Sequence, residues 1–183
     1  MTGLKVSKNL SLPPLTLVIG GAASGKSALA ERLVTMTGLS RVYLATAEAR
    51  DEEMHARIAA HRDRRDGWTT VEAPRDVAGA LAAVAAGSVV LLDCATLWLT
   101  NVMLSGGDVA AEAAALIAAL RACAAPVVVV TNEVGLSIVP DNAMARAFRD
   151  AQGRLNQRLA VEAGLVVAVW AGLPLVLKGP SPW

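Results

Sequence analysis

Eight consecutive residues near the amino terminus constrain this chain more than any other feature. They fit the pattern G-x-x-x-x-G-K-S/T and are Gly20, Gly21, Ala22, Ala23, Ser24, Gly25, Lys26 and Ser27. An apolar run over Leu15–Ile19 precedes them, and Ser27–Met36 follows with apolar residues at helical spacing. The order strand, glycine loop and helix predicts a phosphate-binding loop, because backbone N–H groups and the positive end of the helix both favour phosphate oxygens.

Two side chains of this loop have separate predicted roles. Lys26 is expected to contact the β- and γ-phosphates of a nucleoside triphosphate, and the hydroxyl of Ser27 to bind Mg²⁺. The alternative is a glycine-rich turn with an incidental lysine. The strand and helix predicted on either side favour the phosphate loop.

A phosphate loop of this kind also needs an acidic residue for the metal, usually at the carboxyl end of a neighbouring buried strand. Asp93 has that position, directly after the apolar run Val89–Leu92. An aspartate there can instead serve only as a cap of the following helix. Glu133, which ends the run that begins at Val127, is the weaker candidate for a metal ligand or a base.

Apolar runs alternate with helical patterns along the chain. Val89–Leu92 and Val127–Val130 are apolar throughout, which is typical of strands buried on both faces of a parallel sheet. We predict strands at 15–19, 42–46, 69–72, 89–92, 127–130, 165–170 and 175–178, and helices at 27–36, 51–62, 76–86, 107–124 and 143–163. This is an α/β fold with a mostly parallel sheet of about seven strands, helices on both faces and an antiparallel C-terminal strand pair.

Length and composition favour one compact domain. The 183 residues are 54% apolar with a mean hydropathy of +0.46, which excludes disorder through low hydrophobicity. No stretch reaches the roughly 20 uninterrupted apolar residues that a membrane span requires. The formal net charge of +1 leaves no global field to hold nucleic acid, so any anion must be bound locally.

The chain divides into a flexible leader, 1–14, and a single domain, 15–183. The leader contains neither a long apolar segment nor an Ala-x-Ala cleavage site, and we therefore expect a cytoplasmic protein. Two cysteines, Cys94 and Cys123, are too few for a disulfide framework or a four-ligand zinc site. Their apolar neighbours predict buried thiols.

Both histidines, His55 and His61, lie in one charged stretch, Asp51–Arg65. A spacing of four places His61 on the same helical face as Arg57, and three further arginines follow within residues 62–65. Positive neighbours lower the pKa of an imidazole, which keeps it neutral and nucleophilic near neutral pH. The alternative, which the residues by themselves favour, is a solvent-exposed amphipathic helix.

Taken together, these residues resemble a known family, the bifunctional adenosylcobinamide kinase and adenosylcobinamide-phosphate guanylyltransferase of cobalamin assembly. The matching blocks run in order from about Leu15 to Lys178, nearly the whole chain, which is more specific than the phosphate loop alone. They are Gly20–Ser27, Tyr43–Ala47, Asp51–Met54, Arg57–Ile58, His61–Arg62, Trp68–Glu72, Leu91–Cys94, Thr131–Gly135, Ile138–Pro140, Ala145–Arg146, Phe148–Asp150, Gly153–Arg154 and Asn156–Gln157.

The resemblance implies a RecA-like P-loop NTPase fold and two successive reactions. In the first, the hydroxyl of the aminopropanol arm of adenosylcobinamide takes the γ-phosphate of ATP or GTP. In the second, GTP guanylylates a histidine, and the GMP passes to adenosylcobinamide phosphate, giving adenosylcobinamide-GDP and pyrophosphate. Relatives in this family are homo-oligomers, and the resemblance implies a trimer.

The same resemblance implies roles for individual residues. His61 matches the guanylylated histidine, Lys26 and Asp93 serve phosphoryl transfer, and Ser27 and Asp93 hold Mg²⁺. The expected guanine nucleotide contacts are Ala45, Thr46, Ala47, Arg62, Asp63, Arg64, Arg65, Glu72 and Asp93. Backbone groups after the second strand and a carboxylate such as that of Glu72 can accept hydrogen bonds from the N–H groups of guanine, which adenine lacks at those positions.

One loop residue departs from the family pattern. Ala23 stands where relatives often carry arginine, so Lys26, Mg²⁺ and the arginines of residues 62–65 must balance the triphosphate charge.

Two other functions are open. One is a kinase for a different small metabolite without a covalent step, and the other is a nucleotide-dependent binding module that switches a partner.

The corrinoid pocket has no short motif, because a large ligand touches many side chains. Trp98, Leu99 and Asn101, together with Gly135–Pro140, are the candidate contacts.

Overall fold

The computed structural model describes residues 9–48, 52 and 66–183. Seven strands form one sheet: β1 Leu15–Gly20, β2 Ser40–Ala45, β3 Trp68–Glu72, β4 Ser88–Asp93, β5 Val127–Asn132, β6 Leu165–Trp170 and β7 Leu173–Lys178. The helices with described boundaries are α1 Lys26–Thr35, α2 Val77–Ala82, α3 Ala95–Leu104, α4 Val109–Ala122 and α5 Ala143–Glu162.

The strands are ordered β3-β2-β4-β5-β1-β6-β7 across the sheet. All neighbouring pairs are parallel except β6 and β7, which are antiparallel. This arrangement confirms the predicted sheet and its C-terminal strand pair. β1 lies between β5 and β6, two strands that come much later in the chain, so the strand that leads into the phosphate loop is enclosed on both sides.

Alternate side chains of the buried strands pack on opposite faces of the sheet. In β1, Leu17 joins the apolar cluster that includes residues of α2 to α5, whereas Val18 packs with Leu33 and Val34 of α1. Every residue of 89–92 and 127–130 is 0% exposed. Helices therefore cover both faces, which is why β4 and β5 carry valine and leucine at successive positions.

The region between β4 and β5 differs from the sequence prediction. We expected one helix over 107–124, and the structure has two, α3 and α4. Six of the ten residues of α3 are buried, so its sequence lacks the polar face whose periodicity indicates a helix. α4 begins later than predicted because the Asp108 carboxylate accepts hydrogen bonds from the N–H groups of Ala110 and Ala111, at 2.9 and 3.1 Å, and so caps the helix.

Two other predicted segments have different outcomes. The helix expected over 76–86 is shorter, since α2 ends at Ala82. Its start is set by Asp76, whose carboxylate accepts a hydrogen bond from Gly79 N at 2.8 Å. The helix expected over 51–62 lies outside the described residues apart from Glu52.

Residues directly before β1 contact the domain. Leu10 N donates to the carbonyl oxygen of Met36 at 3.0 Å, and the carbonyl oxygen of Pro14 accepts from Val127 N at 2.9 Å. Leu10 and Leu12 pack against the apolar cluster under α1.

None of the helices in the described ranges combines the length and the apolar character that a membrane span requires.

A buried polar cluster joins α5 to the end of β5. The hydroxyl of Thr131 donates to Asn156 Oδ1 at 2.7 Å and accepts from Gln152 Nε2 at 3.0 Å. Gln152 Nε2 also donates to Asn156 Oδ1 at 2.8 Å, and Asn156 Nδ2 donates to the carbonyl oxygen of Asn132 at 3.0 Å. Because buried polar groups that lose their partners carry a desolvation cost, this cluster holds α5 in one position on β5.

The substitution Asn156→Leu tests that cluster. It removes three hydrogen bonds at similar volume and leaves the Asn132 carbonyl without its partner, so we expect the free energy of unfolding to fall by about 2 to 3 kcal/mol. Urea unfolding followed by circular dichroism measures the change. The matched control is Gln157→Leu on the exposed side of α5, expected within about 0.5 kcal/mol of the unsubstituted protein. Equal losses in both variants would contradict the prediction.

Candidate active site

The phosphate loop is folded tightly against the carboxyl end of β1. Ala23 and Gly25 have left-handed backbone conformations, with φ of 54° and 93°. Glycine adopts this conformation without a steric cost, whereas alanine carries some strain there. Gly20 has no room for a side chain, since a Cβ would lie 2.5 Å from Ser24 Oγ and 2.6 Å from the carbonyl oxygen of Val169.

The polar groups of the loop form a donor set that suits a polyphosphate. Ser24 Oγ is buried and has no hydrogen-bond partner among the described residues. No side chain caps the start of α1, where Gly25 precedes Lys26, so the first N–H groups of the helix are left for another acceptor. Lys26 Nζ donates to the carbonyl oxygen of Gly21 at 3.0 Å, which places the ammonium over the loop. These groups together match phosphate oxygens in charge and hydrogen bonding.

Segments that follow the two neighbouring strands hold the loop. Glu133 N, directly after β5, donates to the carbonyl oxygen of Gly20 at 3.1 Å. Gly172 N, in the turn between β6 and β7, donates to the carbonyl oxygen of Ser24 at 2.9 Å. The phosphate loop is therefore fixed from both sides, and the contact with Gly172 has no signal in the sequence.

Asp93 ends β4, two strands away from β1 in the sheet. Its Oδ2 accepts a hydrogen bond from the hydroxyl of Tyr43 at 2.8 Å, which orients the carboxylate. The N-cap of α3 is Cys94, whose sulfur accepts from Leu97 N at 3.5 Å. The alternative that Asp93 serves only as a helix cap is therefore wrong. Tyr43 was missed as a site residue, because nothing in its local pattern indicates the contact.

The expected guanine-contacting segment lies at the ends of three adjacent strands. Ala45, the last residue of β2, is the register partner of both Glu72 in β3 and Asp93 in β4. The hydroxyl of Thr46 donates to the carbonyl oxygen of Cys94 and accepts from Cys94 N, both at 2.8 Å. The structure thus brings Ala45, Thr46, Glu72 and Asp93 together at one edge of the sheet.

Asn101 ties two of these strand ends to α3. Its Nδ2 donates to the carbonyl oxygens of Thr46 at 2.8 Å and Pro74 at 3.0 Å, so one buried amide spans the segments after β2 and β3. Trp98 is held in a similar way, because its Nε1 donates to the carbonyl oxygen of Arg75 at 3.0 Å.

The structure divides the corrinoid candidates into two groups. Trp98, Leu99 and Asn101 are at most 4% exposed, which removes them from contact with a large surface ligand, and this part of the prediction is wrong. They are buried because α3 packs under the strand ends, an arrangement that the sequence pattern did not indicate. Most of the other candidate segment, Gly135–Pro140, is exposed.

Some predicted site residues lie outside the described residues. These are His61, Arg62, Asp63, Arg64 and Arg65. In the part of the chain that is described, no group of three or more histidine, cysteine, aspartate or glutamate side chains forms a metal cluster. A magnesium site with one hydroxyl and one carboxylate from the protein does not need such a cluster, since Mg²⁺ keeps several water ligands.

Cys94 is a buried free thiol beside the Asp93 carboxylate, and Cys123 is half-buried and also free. The prediction of a buried thiol is confirmed for Cys94. Burial first, and the charge of Asp93 second, raise the pKa of Cys94 from the ordinary 9.0 to about 11, although backbone N–H groups and Lys26 act in the opposite direction. The thiol is therefore protonated at neutral pH and is a poor nucleophile.

Alkylation measures this protection. We expect iodoacetamide at about pH 8 to leave Cys94 unmodified in the folded protein and to modify it after unfolding in urea. Because the unfolded thiol ionises near 9.0 and the folded one near 11, stability from this group is present below pH 9.0 and is lost as the pH rises towards 11. Peptide mass spectrometry gives the modified sites. Equal modification rates for Cys94 in the folded and unfolded protein would contradict the prediction.

A mostly parallel sheet with a phosphate loop after β1 and an aspartate at the end of β4 defines a P-loop nucleotide-binding protein of the RecA-like class. Solved structures with this fold include the flagellar accessory protein FlaH from Methanocaldococcus jannaschii, which is 12% identical with a TM-score of 0.52 and covers 92% of this chain and 79% of that chain. The RadB recombinase is 19% identical with a TM-score of 0.52, and the match covers 86% of this chain and 74% of that chain. At these identities the similarity concerns the fold alone.

The sequence comparisons give the family. The family described as cobinamide kinase / cobinamide phosphate guanyltransferase matches residues 16–177. The chain is 44% identical over 167 residues to the bifunctional adenosylcobalamin biosynthesis protein CobP of Pseudomonas aeruginosa, covering 89% of this chain and 96% of that protein. It is 41% identical over 181 residues to the bifunctional adenosylcobalamin biosynthesis protein CobU of Escherichia coli strain K12, covering 90% and 99%. The chain therefore belongs to the cobinamide kinase / cobinamide phosphate guanyltransferase family, which confirms the resemblance.

Proposed function

We propose that this chain is a bifunctional enzyme that phosphorylates adenosylcobinamide and then transfers GMP to the product. The observation that carries the proposal is the phosphate loop with its unpartnered, buried Ser24 hydroxyl, next to a sheet edge that carries Asp93 and Glu72. Family membership supports the two activities and the acceptor.

In the phosphoryl step, the hydroxyl oxygen of the aminopropanol arm attacks the γ-phosphorus of ATP or GTP. The bond to the bridging oxygen breaks, the nucleoside diphosphate leaves, and the proton of the hydroxyl is released to solvent. The loop N–H groups and Lys26 stabilise the charge on the β- and γ-phosphates. Ser27 and Asp93 would hold Mg²⁺, which neutralises phosphate charge when it is bound. Tyr43 keeps the Asp93 carboxylate in one orientation for this role.

In the guanylyl step, a nitrogen of His61 attacks the α-phosphorus of GTP and pyrophosphate leaves. A phosphate oxygen of adenosylcobinamide phosphate then attacks the same phosphorus, which forms adenosylcobinamide-GDP and frees the histidine. Family membership and the neighbouring arginines support the role of His61. The exposed Glu72 beside the end of β2 supports guanine selection, because its carboxylate can accept from guanine N–H groups.

The proposal extends to the setting of the enzyme. We place it in the cytoplasm as a homo-oligomer, a trimer as in its family, that acts on adenosylcobinamide and adenosylcobinamide phosphate rather than on nucleic acid. Leu173, Leu175 and Leu177 of β7 are each more than half exposed and support an interface between copies, because an apolar stripe of this kind is costly in water.

The covalent step can be tested with GTP labelled at its α-phosphate. Incubation with Mg²⁺ and denaturing electrophoresis should show a labelled protein whose label is lost in acid and kept in alkali, as expected for a bond between nitrogen and phosphorus. His61→Ala should abolish the label. The matched control is His55→Ala, expected to keep it. A stable label on the His61→Ala protein would contradict the assignment.

The role of Tyr43 is tested by Tyr43→Phe, which removes only the hydroxyl. A lost hydrogen bond to a charged group is worth about 1.5 kcal/mol or more, so we expect kinase turnover to fall about tenfold and half-maximal activity to need several-fold more Mg²⁺. The ring contact with Trp68, at 6.1 Å between centroids, is kept, and the thermal midpoint should change little. An unchanged Mg²⁺ dependence would show that Tyr43 does not act through Asp93.

A further inference from the structure

The segment after β5 exposes large apolar side chains at the edge of the sheet that carries the phosphate loop. Leu136 is 76% exposed, Ile138 94% and Val139 60%. We call residues 134–140 the post-β5 segment, and its sequence VGLSIVP contains no charged side chain. Because contiguous exposed apolar residues are costly in water, such a surface indicates a place where another molecule binds.

Hydrogen bonds hold the backbone of this segment at both ends. Before its first residue, Glu133 N donates to the carbonyl oxygen of Gly20 at 3.1 Å. At its far end, Arg146 Nη1 donates to the carbonyl oxygens of Pro140 at 2.9 Å and Asp141 at 2.7 Å. The segment therefore keeps its position without burying its leucine, isoleucine and valine side chains, which leaves them available to a ligand.

The contact with Gly20 places the segment beside the reacting groups. Gly20 is the first residue of the phosphate loop, and Lys26, which is expected to contact the γ-phosphate, is hydrogen-bonded within that loop. The acceptor hydroxyl is carried on a short arm, while the corrin macrocycle is far larger than a triphosphate crevice. The macrocycle must therefore lie on a surface that adjoins the loop, with its arm extended towards the γ-phosphate.

Among the described residues, two surfaces adjoin the phosphate loop at the neighbouring strands, since β1 lies between β5 and β6. On the β6 side, Trp170 is 72% and Leu173 71% exposed, but their apolar stripe continues along β7, which runs away from the loop. On the β5 side, Leu136, Ile138 and Val139 follow directly after the strand end whose Glu133 N–H contacts the phosphate loop at Gly20. A corrin ring has broad apolar faces and uncharged amide side chains, so it matches an uncharged apolar segment better than a nucleotide does.

The geometry points to the post-β5 segment as the surface on which the corrin macrocycle of adenosylcobinamide lies during phosphoryl transfer, with Leu136, Ile138 and Val139 against the ring. This assignment rests on the proposed function. Of the candidates that the sequence offers, it keeps the exposed residues of Gly135–Pro140 and excludes Trp98 and Leu99, which are buried.

The test uses Ile138→Ser and Leu136→Ser in the full chain, with adenosylcobinamide varied at saturating ATP and then ATP varied at saturating adenosylcobinamide. Loss of one apolar contact should raise the KM for adenosylcobinamide about tenfold in each variant. The KM for ATP and the labelling by GTP should stay within about twofold of the unsubstituted protein, because neither needs the corrin surface. Light scattering on each variant gives its molar mass.

The matched control is Val161→Ser, an equally apolar residue that is 73% exposed in the last turn of α5. It should leave both KM values unchanged. An unchanged KM for adenosylcobinamide in Ile138→Ser and Leu136→Ser overturns the assignment. A fall in molar mass that accompanies a higher KM also overturns it, because the segment is then an interface between copies of the chain. An unsubstituted protein that labels with GTP but does not phosphorylate adenosylcobinamide overturns the proposed function and this assignment with it.

Discussion

The pairing of β1 with β5 on one side and β6 on the other is the constraint on which the functional edge of this protein depends. Gly20, at the end of β1, is the register partner of both Asn132 and Val169. The same neighbours continue beyond the strands, since Glu133 and Gly172 donate to carbonyl oxygens of the phosphate loop. A loop that must present its own N–H groups to phosphate needs its carbonyl groups satisfied elsewhere, and these neighbouring segments satisfy two of them.

Buried polar side chains set the positions of the other strand ends. Thr46 and Asn101 join the segments after β2, β3 and β4, and Thr131 and Asn156 join the end of β5 to α5. Each of these residues is 6% exposed or less. Apolar contacts have no preferred direction and so tolerate small displacements, whereas hydrogen bonds require defined distances and angles. Directional contacts therefore fix the edge that carries the proposed chemistry.

The exposed apolar side chains of the post-β5 segment lie beside this edge. The N–H groups of the loop and the Lys26 ammonium suit an anionic donor, and the adjoining uncharged surface suits a large acceptor with apolar faces. A nucleotide and a corrinoid have opposite requirements for charge and solvation. In the proposed assignment, the two surfaces follow adjacent strands of the sheet, β1 and β5, so that both substrates would meet at the same phosphorus while their binding groups stay separate.

Local features were predictable where the chemistry is local. The phosphate loop from Gly20 to Ser27, with a strand before it and a helix after it, is predictable from neighbouring residues. Asp93 is predictable as a site residue from its position after an apolar run. α3 was not predicted, because a helix buried on most sides has no polar face to indicate its period. The same burial of α3 places Trp98 and Leu99, which the sequence offers as corrinoid contacts, in the core.

By itself, the sequence determined the class of fold, the phosphate loop, the family and the candidate histidine, since each depends on residues close together in the chain or on a series of blocks in order. The tertiary structure alone decided which carboxylate has a hydroxyl partner, which carbonyl groups of the loop are satisfied, and which apolar residues near the site are open to solvent. These properties depend on pairs far apart in sequence. The pairing of β2 with β4 brings Tyr43 to Asp93, the strand order β5-β1-β6 brings Gly172 to Ser24, and the packing of α3 buries Trp98 and Leu99.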